Sequence, residues 1–228
     1  MISVVIPSLN AATRLPLCLD ALVGAAASGL VKEVVIVDGG SADKTRDIAE
    51  GFGAMVISAP PGRGGQLKAG ANAARGAWLL FLHADTVLEA GWAEEARAHM
   101  KDFSEQVAVF TLAFDAKKSA ARFVSSGAMI RTQMLKLPYG DQGLLISRKV
   151  YDDIGGYGDL PLFEDVDFAR RLVKAKGRSA LRVLSARATT SAERYERLGY
   201  LRCVISNQIL MVKYLAGAAP EELAKEYR

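Results

Sequence analysis

A chain of 228 residues, half of them hydrophobic, is long enough to bury one full core and short for two. Its 24% charged residues and formal charge of +4 exclude a disordered chain, and the charge is too small for a dedicated nucleic-acid binder. The two cysteines, Cys18 and Cys203, form neither a disulfide framework nor a metal-binding spacing, which points to a reducing, cytoplasmic compartment.

No charged leader precedes the apolar run Met1 to Ile6, and that run is too short for a secretory signal. Ile2 to Ile6 is β-branched and reads as a buried strand ending at Pro7. Leu15 to Ala27 carries apolar residues at helical spacing. Val34 to Val37 is a second strand running into Asp38-Gly39-Gly40-Ser41. Lys44 to Phe52 reads as a helix with Ser41 or Asp43 as its cap. Ala54 to Ser58 is a third strand, Gly65 to Arg75 an Ala-rich helix, and Trp78 to Leu82 a fourth strand ending at His83-Ala84-Asp85. Strands alternating with helices at this spacing predict βαβ units and a mostly parallel sheet.

The second half is less regular. Val107 to Phe114 and Leu144 to Ser147 read as strands, Glu164 to Lys176 as a helix, and Tyr195 to Leu215 as one long helix. From Phe168 to Arg202 the charges are nearly all Lys or Arg, with Glu193 and Glu196 the only acids. That stretch reads as solvated helix faces or as a surface for an anionic partner. Val204 to Leu215 is apolar on most sides but below the roughly 18 residues that span a bilayer, so core packing, a homodimer interface and shallow membrane docking are its three readings. The expected organisation is one unit: a nucleotide-binding half (1–101), an acceptor-side half (102–199) and C-terminal helices (200–228).

In an open α/β sheet, ligands bind beyond the carboxyl ends of the strands. Three polar clusters lie there: Pro7-Ser8-Leu9-Asn10, Asp38-Gly39-Gly40-Ser41 and His83-Ala84-Asp85. Each alone is ordinary turn chemistry; three in order point to a site. No Gly-x-Gly-x-x-Gly loop follows the first strand. The later Gly62-Arg63-Gly64-Gly65-Gln66 segment can bring Arg63, Gln66 and a helix N-terminus to a phosphate or base.

Val34-Val35-Ile36-Val37-Asp38-Gly39-Gly40-Ser41, followed by Leu80-Phe81-Leu82-His83-Ala84-Asp85, resembles the family 2 glycosyltransferases of GT-A fold. Pro7-Ser8-Leu9-Asn10 is similar to their first-strand motif, and Gly155-Gly156-Tyr157 with Phe163-Glu164-Asp165-Val166-Asp167 is similar to their acceptor-side motif. Phe81 to Thr86, Tyr139 to Gly143 and Leu160 to Asp165 resemble, more narrowly, a bacterial subgroup named for arsenosugar biosynthesis.

The resemblance implies a Rossmann-like sheet flanked by helices, a helical C-terminal segment, and an inverting transferase that moves a sugar from a UDP- or GDP-linked donor to an acceptor hydroxyl. Asp38 would accept from the base or ribose, with Pro7, Ser8, Asn10, Gly40, Ser41, Arg63, Gln66, His83 and Ala84 around the nucleotide sugar. Asp85 matches the second Asp of the family's D-x-D motif and would hold Mg²⁺ or Mn²⁺ against the diphosphate. Asp165 would be the general base. Asp141, Gln142, Glu164 and Arg194 are candidates for the acceptor or diphosphate, and Asp167 is read as a surface residue or local support. His83 replaces the usual first Asp of D-x-D, Gly39 replaces a second Asp after Asp38, and Ser191 stands where the Gln of a Gln-x-x-Arg-Trp motif would precede Arg194-Tyr195. The alternatives are a sugar nucleotidyltransferase and a non-catalytic nucleotide-sugar-binding protein of the same fold.

Overall fold

The computed structural model describes residues 1–227. One eight-stranded sheet runs through both halves of the chain, in the order β3-β2-β1-β4-β7-β6-β8-β5. In chain order the strands are β1 (Ile2–Ser8), β2 (Val31–Asp38), β3 (Met55–Ser58), β4 (Trp78–Phe81), β5 (Val87–Leu88), β6 (Val107–Phe114), β7 (Leu144–Ser147) and β8 (Leu181–Thr190). The first four pair in parallel; β7 is antiparallel to both β4 and β6, and β8 runs parallel to β6. Strands β1 to β4, β6 and β8 therefore all point their carboxyl ends at one edge. The β-branched runs of β1 and β2 are buried on both faces, as a central parallel sheet requires.

The helices are α1 (Leu15–Ala27), α2 (Thr45–Gly51), α3 (Arg63–Ala73), α4 (Trp92–Asp102), α5 (Ser119–Leu135), α6 (Arg148–Asp153), α7 (Glu164–Lys176), α8 (Glu193–Leu198), α9 (Tyr200–Leu215) and α10 (Pro220–Tyr227). Two apolar layers cover the sheet. One joins α1 and α4 to residues such as Ile6, Leu80 and Phe110, and the other joins α3, α6 and α7 to Val5, Leu79 and Phe81. A third, smaller core packs Leu162, Phe163 and Val166 against Leu210, Met211 and Leu223 of α9 and α10.

Several sequence expectations need correction. Helix α3 begins at Arg63, two residues before Gly65, because Gly62 at φ 154° turns the chain into it. The expected Tyr195–Leu215 helix is two, broken at Gly199 with φ 89°. Ser41 does not cap α2, and the cap position falls one residue after Asp43, although Asp43 makes the side-chain bond expected of a cap. Lys44 stands at the cap without a side-chain bond, and Asp43 accepts from Thr45 N at 3.0 Å. The basic stretch is not made only of helix faces, since β8 crosses it with Arg182 and Arg187 at outward positions between buried neighbours. Arg182 lies 3.6 Å over the Phe103 ring, so an apolar stem and a stacked guanidinium let a strand carry this charge.

Candidate active site

Two cavities open at the carboxyl edge of the sheet. The larger, about 500 Å³, is lined by Pro7, Ser8, Asn10, Arg63, Gln66, His83, Ala84 and Asp85, with Arg14 and Tyr227 beside them. The smaller, about 170 Å³, is lined by Asp141, Glu164, Asp165 and Arg194, together with Tyr139, Thr190, Tyr195 and Asn207. Arg63, His83, Asp85, Leu162 and Tyr227 line both, so the cavities meet at the end of β4.

The floor of the larger cavity is a set of loops braced by their own side chains. Asn10 holds φ 52°, where Asn is better tolerated than most residues. Its N–H donates to Ser41 Oγ at 2.8 Å and its Oδ1 accepts from Ala42 N at 2.9 Å, tying the β1 loop to the β2 loop. Gln66 is buried and its Nε2 donates to Ser8 O (3.0 Å) and Val37 O (2.7 Å), while its Oε1 accepts from Gly62 N (3.3 Å). Gln66 therefore sets the shape of the cavity and has little left for a ligand.

Asp38 corrects the expectation more sharply. It is 1% exposed, lines neither cavity, and accepts from Gly40 N, Ser41 N, Ser41 Oγ and Arg46 Nη1 at 3.4 Å or less. Burial alone would raise its pKa, but those bonds outweigh it and hold the carboxyl below its ordinary value. The carboxylate builds the Gly40-Ser41 turn, and Gly40 and Ser41 likewise stand outside both cavities.

The junction carries the charged groups. Asp85 is half-buried with no hydrogen-bond partner from another residue among the described ones, and burial pushes its pKa up against the opposing pull of Arg63. His83 is kept neutral, its pKa pushed down to about 3 by burial and then by Arg63. Its ring lies against Gly140, where a Cβ would stand 2.5 Å from Nε2. A carboxylate and a neutral imidazole left free at one place suit a divalent cation whose other ligands come from phosphate oxygens. Among the described residues, no group of three or more His, Cys, Asp or Glu could hold a metal on its own.

Asp165 sits one residue into α7, facing the smaller cavity. Its Oδ2 accepts from Gly140 N at 2.8 Å and its Oδ1 from Val166 N at 2.7 Å. Burial raises its pKa, and those two bonds with Arg63 and Arg131 oppose the rise. Glu164 beside it is buried, and burial followed by the Asp165 charge pushes it up to about 7. Phe163 enters the helix at φ 63° and stacks on Tyr214 with centroids 4.8 Å apart, a strained residue fixed by packing at the point that aims both acids. Asp167 does give local support: it accepts from Arg171, which also donates to Ile154 O (2.6 Å) and Gly156 O (2.7 Å).

Beside the expected Asp141 and Arg194, the smaller cavity is lined by Tyr139, Tyr195, Thr190, Asn207 and Tyr227, which the sequence did not single out for the site. Asp141 Oδ1 and Tyr139 Oη are buried without a hydrogen-bond partner among the described residues, as is Arg131 Nη2, whose guanidinium lies 3.4 Å from the Tyr139 ring centroid. Asp141 is raised to about 6, by burial first, with Arg131 opposing and Asp165 adding. Arg194 lies 3.9 Å over the Tyr227 ring and donates to Asn207 Oδ1 at 3.3 Å. Tyr139 and Tyr195 stood inside quoted motifs; Thr190, Asn207 and Tyr227 carried no sequence signal. Gln142 is a correction: fully buried, it donates to Phe110 O at 3.1 Å and accepts from Thr132 Oγ1 at 2.7 Å, so it fastens the turn after Tyr139 to β6 and α5 and reaches no ligand.

Residues 3–157 match the family model described as glycosyl transferase family 2. The chain belongs to that family. The chain is also 40% identical over 95 residues to a PGL/p-HBAD biosynthesis glycosyltransferase of Mycobacterium bovis (strain BCG / Pasteur 1173P2) and to its Mycobacterium tuberculosis counterparts. That match spans 39% of this chain and 36% of the curated relative. Among solved structures it resembles glucosyl-3-phosphoglycerate synthase from M. tuberculosis in complex with Mn²⁺ and UDP-glucose: TM-score 0.64, 20% identity, 92% of this chain and 78% of the other. It also resembles S. aureus TarS 1–349 in complex with UDP: TM-score 0.64, 20% identity, 92% of this chain and 65% of the other. The chain thus has the GT-A fold, with a mostly parallel sheet flanked by helices.

Proposed function

We propose that this family 2 glycosyltransferase moves a sugar from a nucleoside-diphosphate donor to an acceptor hydroxyl with inversion, using Asp165 as general base. The observation that carries this reading is the meeting of the two cavities at Arg63, His83 and Asp85, with Asp165 on the smaller side. The larger cavity takes the nucleotide, whose diphosphate lies toward Arg63 and the N-terminus of α3. The smaller one takes the acceptor. Asp165 removes the proton of the acceptor hydroxyl as that oxygen bonds to the anomeric carbon. The bond from the anomeric carbon to the diphosphate oxygen breaks, its electron pair leaves on the diphosphate, and a single displacement inverts the centre. The raised pKa of Asp165 makes it a stronger base than an ordinary carboxylate, while Gly140 N and Val166 N hold its oxygens in place.

Asp85, with His83, would hold Mg²⁺ or Mn²⁺. Such a cation neutralises the charge that builds on a departing diphosphate. The Mn²⁺ and UDP bound by the solved relatives support a divalent metal and a UDP-linked donor. The narrower subgroup, a cytoplasmic location with contact at the inner membrane face, and the division into donor half, acceptor half and C-terminal helices belong to the same proposal. A sugar nucleotidyltransferase is disfavoured by the absence of a Gly-rich loop after β1.

Asp165→Asn tests the assignment. The expected outcome is a loss of about 10²–10⁴-fold in kcat for UDP release from UDP-sugar with acceptor, and little change in donor binding by calorimetry. Full activity in that variant removes Asp165 as the base, and donor binding with no turnover in the unaltered chain would favour a binding protein.

A further inference from the structure

Most of the large apolar side chains exposed among the described residues lie on α5 and α9. Phe123, Ile130 and Met134 recur at helical spacing along the outer face of α5, and Leu201, Ile205 and Ile209 along that of α9. Phe123 is 82% exposed and Leu201 74%. The two helices pack on each other. An apolar surface of this extent marks an interaction site.

Charge decides the partner. Every charged residue within α5 and α9 is Arg or Lys: Arg122, Arg131, Arg202 and Lys213. Arg131 turns inward over Tyr139, and Lys213 is paired with Glu226 at 2.7 Å. Arg122 and Arg202 are exposed and have no ion-pair partner among the described residues. A two-fold interface between copies presents one patch to itself, which would set these cations against each other with no acid on either helix. An anionic lipid surface instead pairs them with headgroups and accepts the apolar stripes at its acyl boundary. The face is also continuous with the catalytic cavity. Leu210 of α9 lines both that cavity and the surface groove beside Leu201, Ile205 and Ile209.

We propose that the α5–α9 face docks this protein on an anionic lipid surface, from which the acceptor reaches Asp165. Only the second clause rests on the glycosyl-transfer reading. The test is flotation of the full chain with phosphatidylcholine vesicles, with and without phosphatidylglycerol. The chain should float with the anionic vesicles, less so at about 0.5 M salt, and much less with phosphatidylcholine alone. The pair Ile205→Glu/Ile209→Glu should cut the bound fraction roughly tenfold, and Phe123→Ser on the other helix should lower it independently. Both variants should keep the circular-dichroism spectrum and the slow release of UDP from UDP-glucose in solution, because none of the three residues lines a catalytic cavity. Asp165→Asn should float as the unaltered chain does, so docking and catalysis fail separately. Failure to float on anionic vesicles overturns the proposal. So does a dimer by light scattering that Ile205→Glu/Ile209→Glu dissolves.

Discussion

Glu164 is buried beside Asp165, and that burial, then the neighbouring carboxylate, carries its pKa up to about 7 against the opposing pull of Arg63 and a backbone hydrogen bond. In the unfolded chain it titrates at an ordinary value of about 4.3. The folded state therefore holds a proton that the unfolded state has lost between those two pH values, and stability falls as pH rises across the window. Glu164→Gln should raise the thermal midpoint at pH 8 and do so less at pH 5, read by calorimetry at both. Gly140 makes a second test. Its N–H holds Asp165 and its missing side chain admits the His83 ring. Gly140→Ala should cut kcat at least roughly tenfold, about 1.4 kcal/mol of transition-state stabilisation, with a far smaller change in midpoint. At this scale the sequence pointed to the right residue types but not to their partners. Asp38 and Asp85 both follow apolar strands. Only packing shows that the first is saturated by Gly40, Ser41 and Arg46 and the second is left open.

Helix α7 is aimed by what lies before it. Arg171 reaches back to the carbonyls of Ile154 and Gly156, and the Tyr151 hydroxyl accepts from Tyr157 N at 3.0 Å. Tyr157 then stacks on Phe168 of the helix, centroids 4.7 Å apart. Arg171→Ala removes three hydrogen bonds and should cost about 1–3 kcal/mol in denaturant unfolding. It should also lower kcat more than it changes the donor KM, with Arg171→Lys restoring part of both. Elements with continuous apolar runs or period-3.6 apolar patterns and polar ends were legible: β1, β2, β4, α1 and α7 lie where the pattern puts them. Helix α5 was not, because its apolar residues face outward and break the stripe a buried helix shows. Strand β8 was not, because its outward positions carry arginines within a basic stretch that otherwise reads as helical.

Over the whole molecule, ligand and metal should act together. If Asp85 and His83 hold a cation that bridges to the diphosphate, UDP should raise the thermal midpoint with Mn²⁺ present and much less after chelation. At a hundredfold excess over Kd, binding adds about 2.7 kcal/mol of stability. Equal stabilisation with and without metal would remove the cation from the donor site. By itself the sequence determined the parallel α/β frame and the polar clusters at its strand ends. Alternation, strand length and turn residues are local properties, written within a few residues of the element they specify. Tertiary structure decided which of those polar groups are spent and which are open. Gln142 is answered by Phe110 and Thr132, whereas Asp141 Oδ1 has no hydrogen-bond partner among the described residues, although the two are adjacent in the chain. It also decided that Thr190, Arg194 and Tyr227, from the last fifth of the chain, line the same cavity as Asp165. A side chain's free hydrogen-bonding capacity depends on partners that only folding brings near.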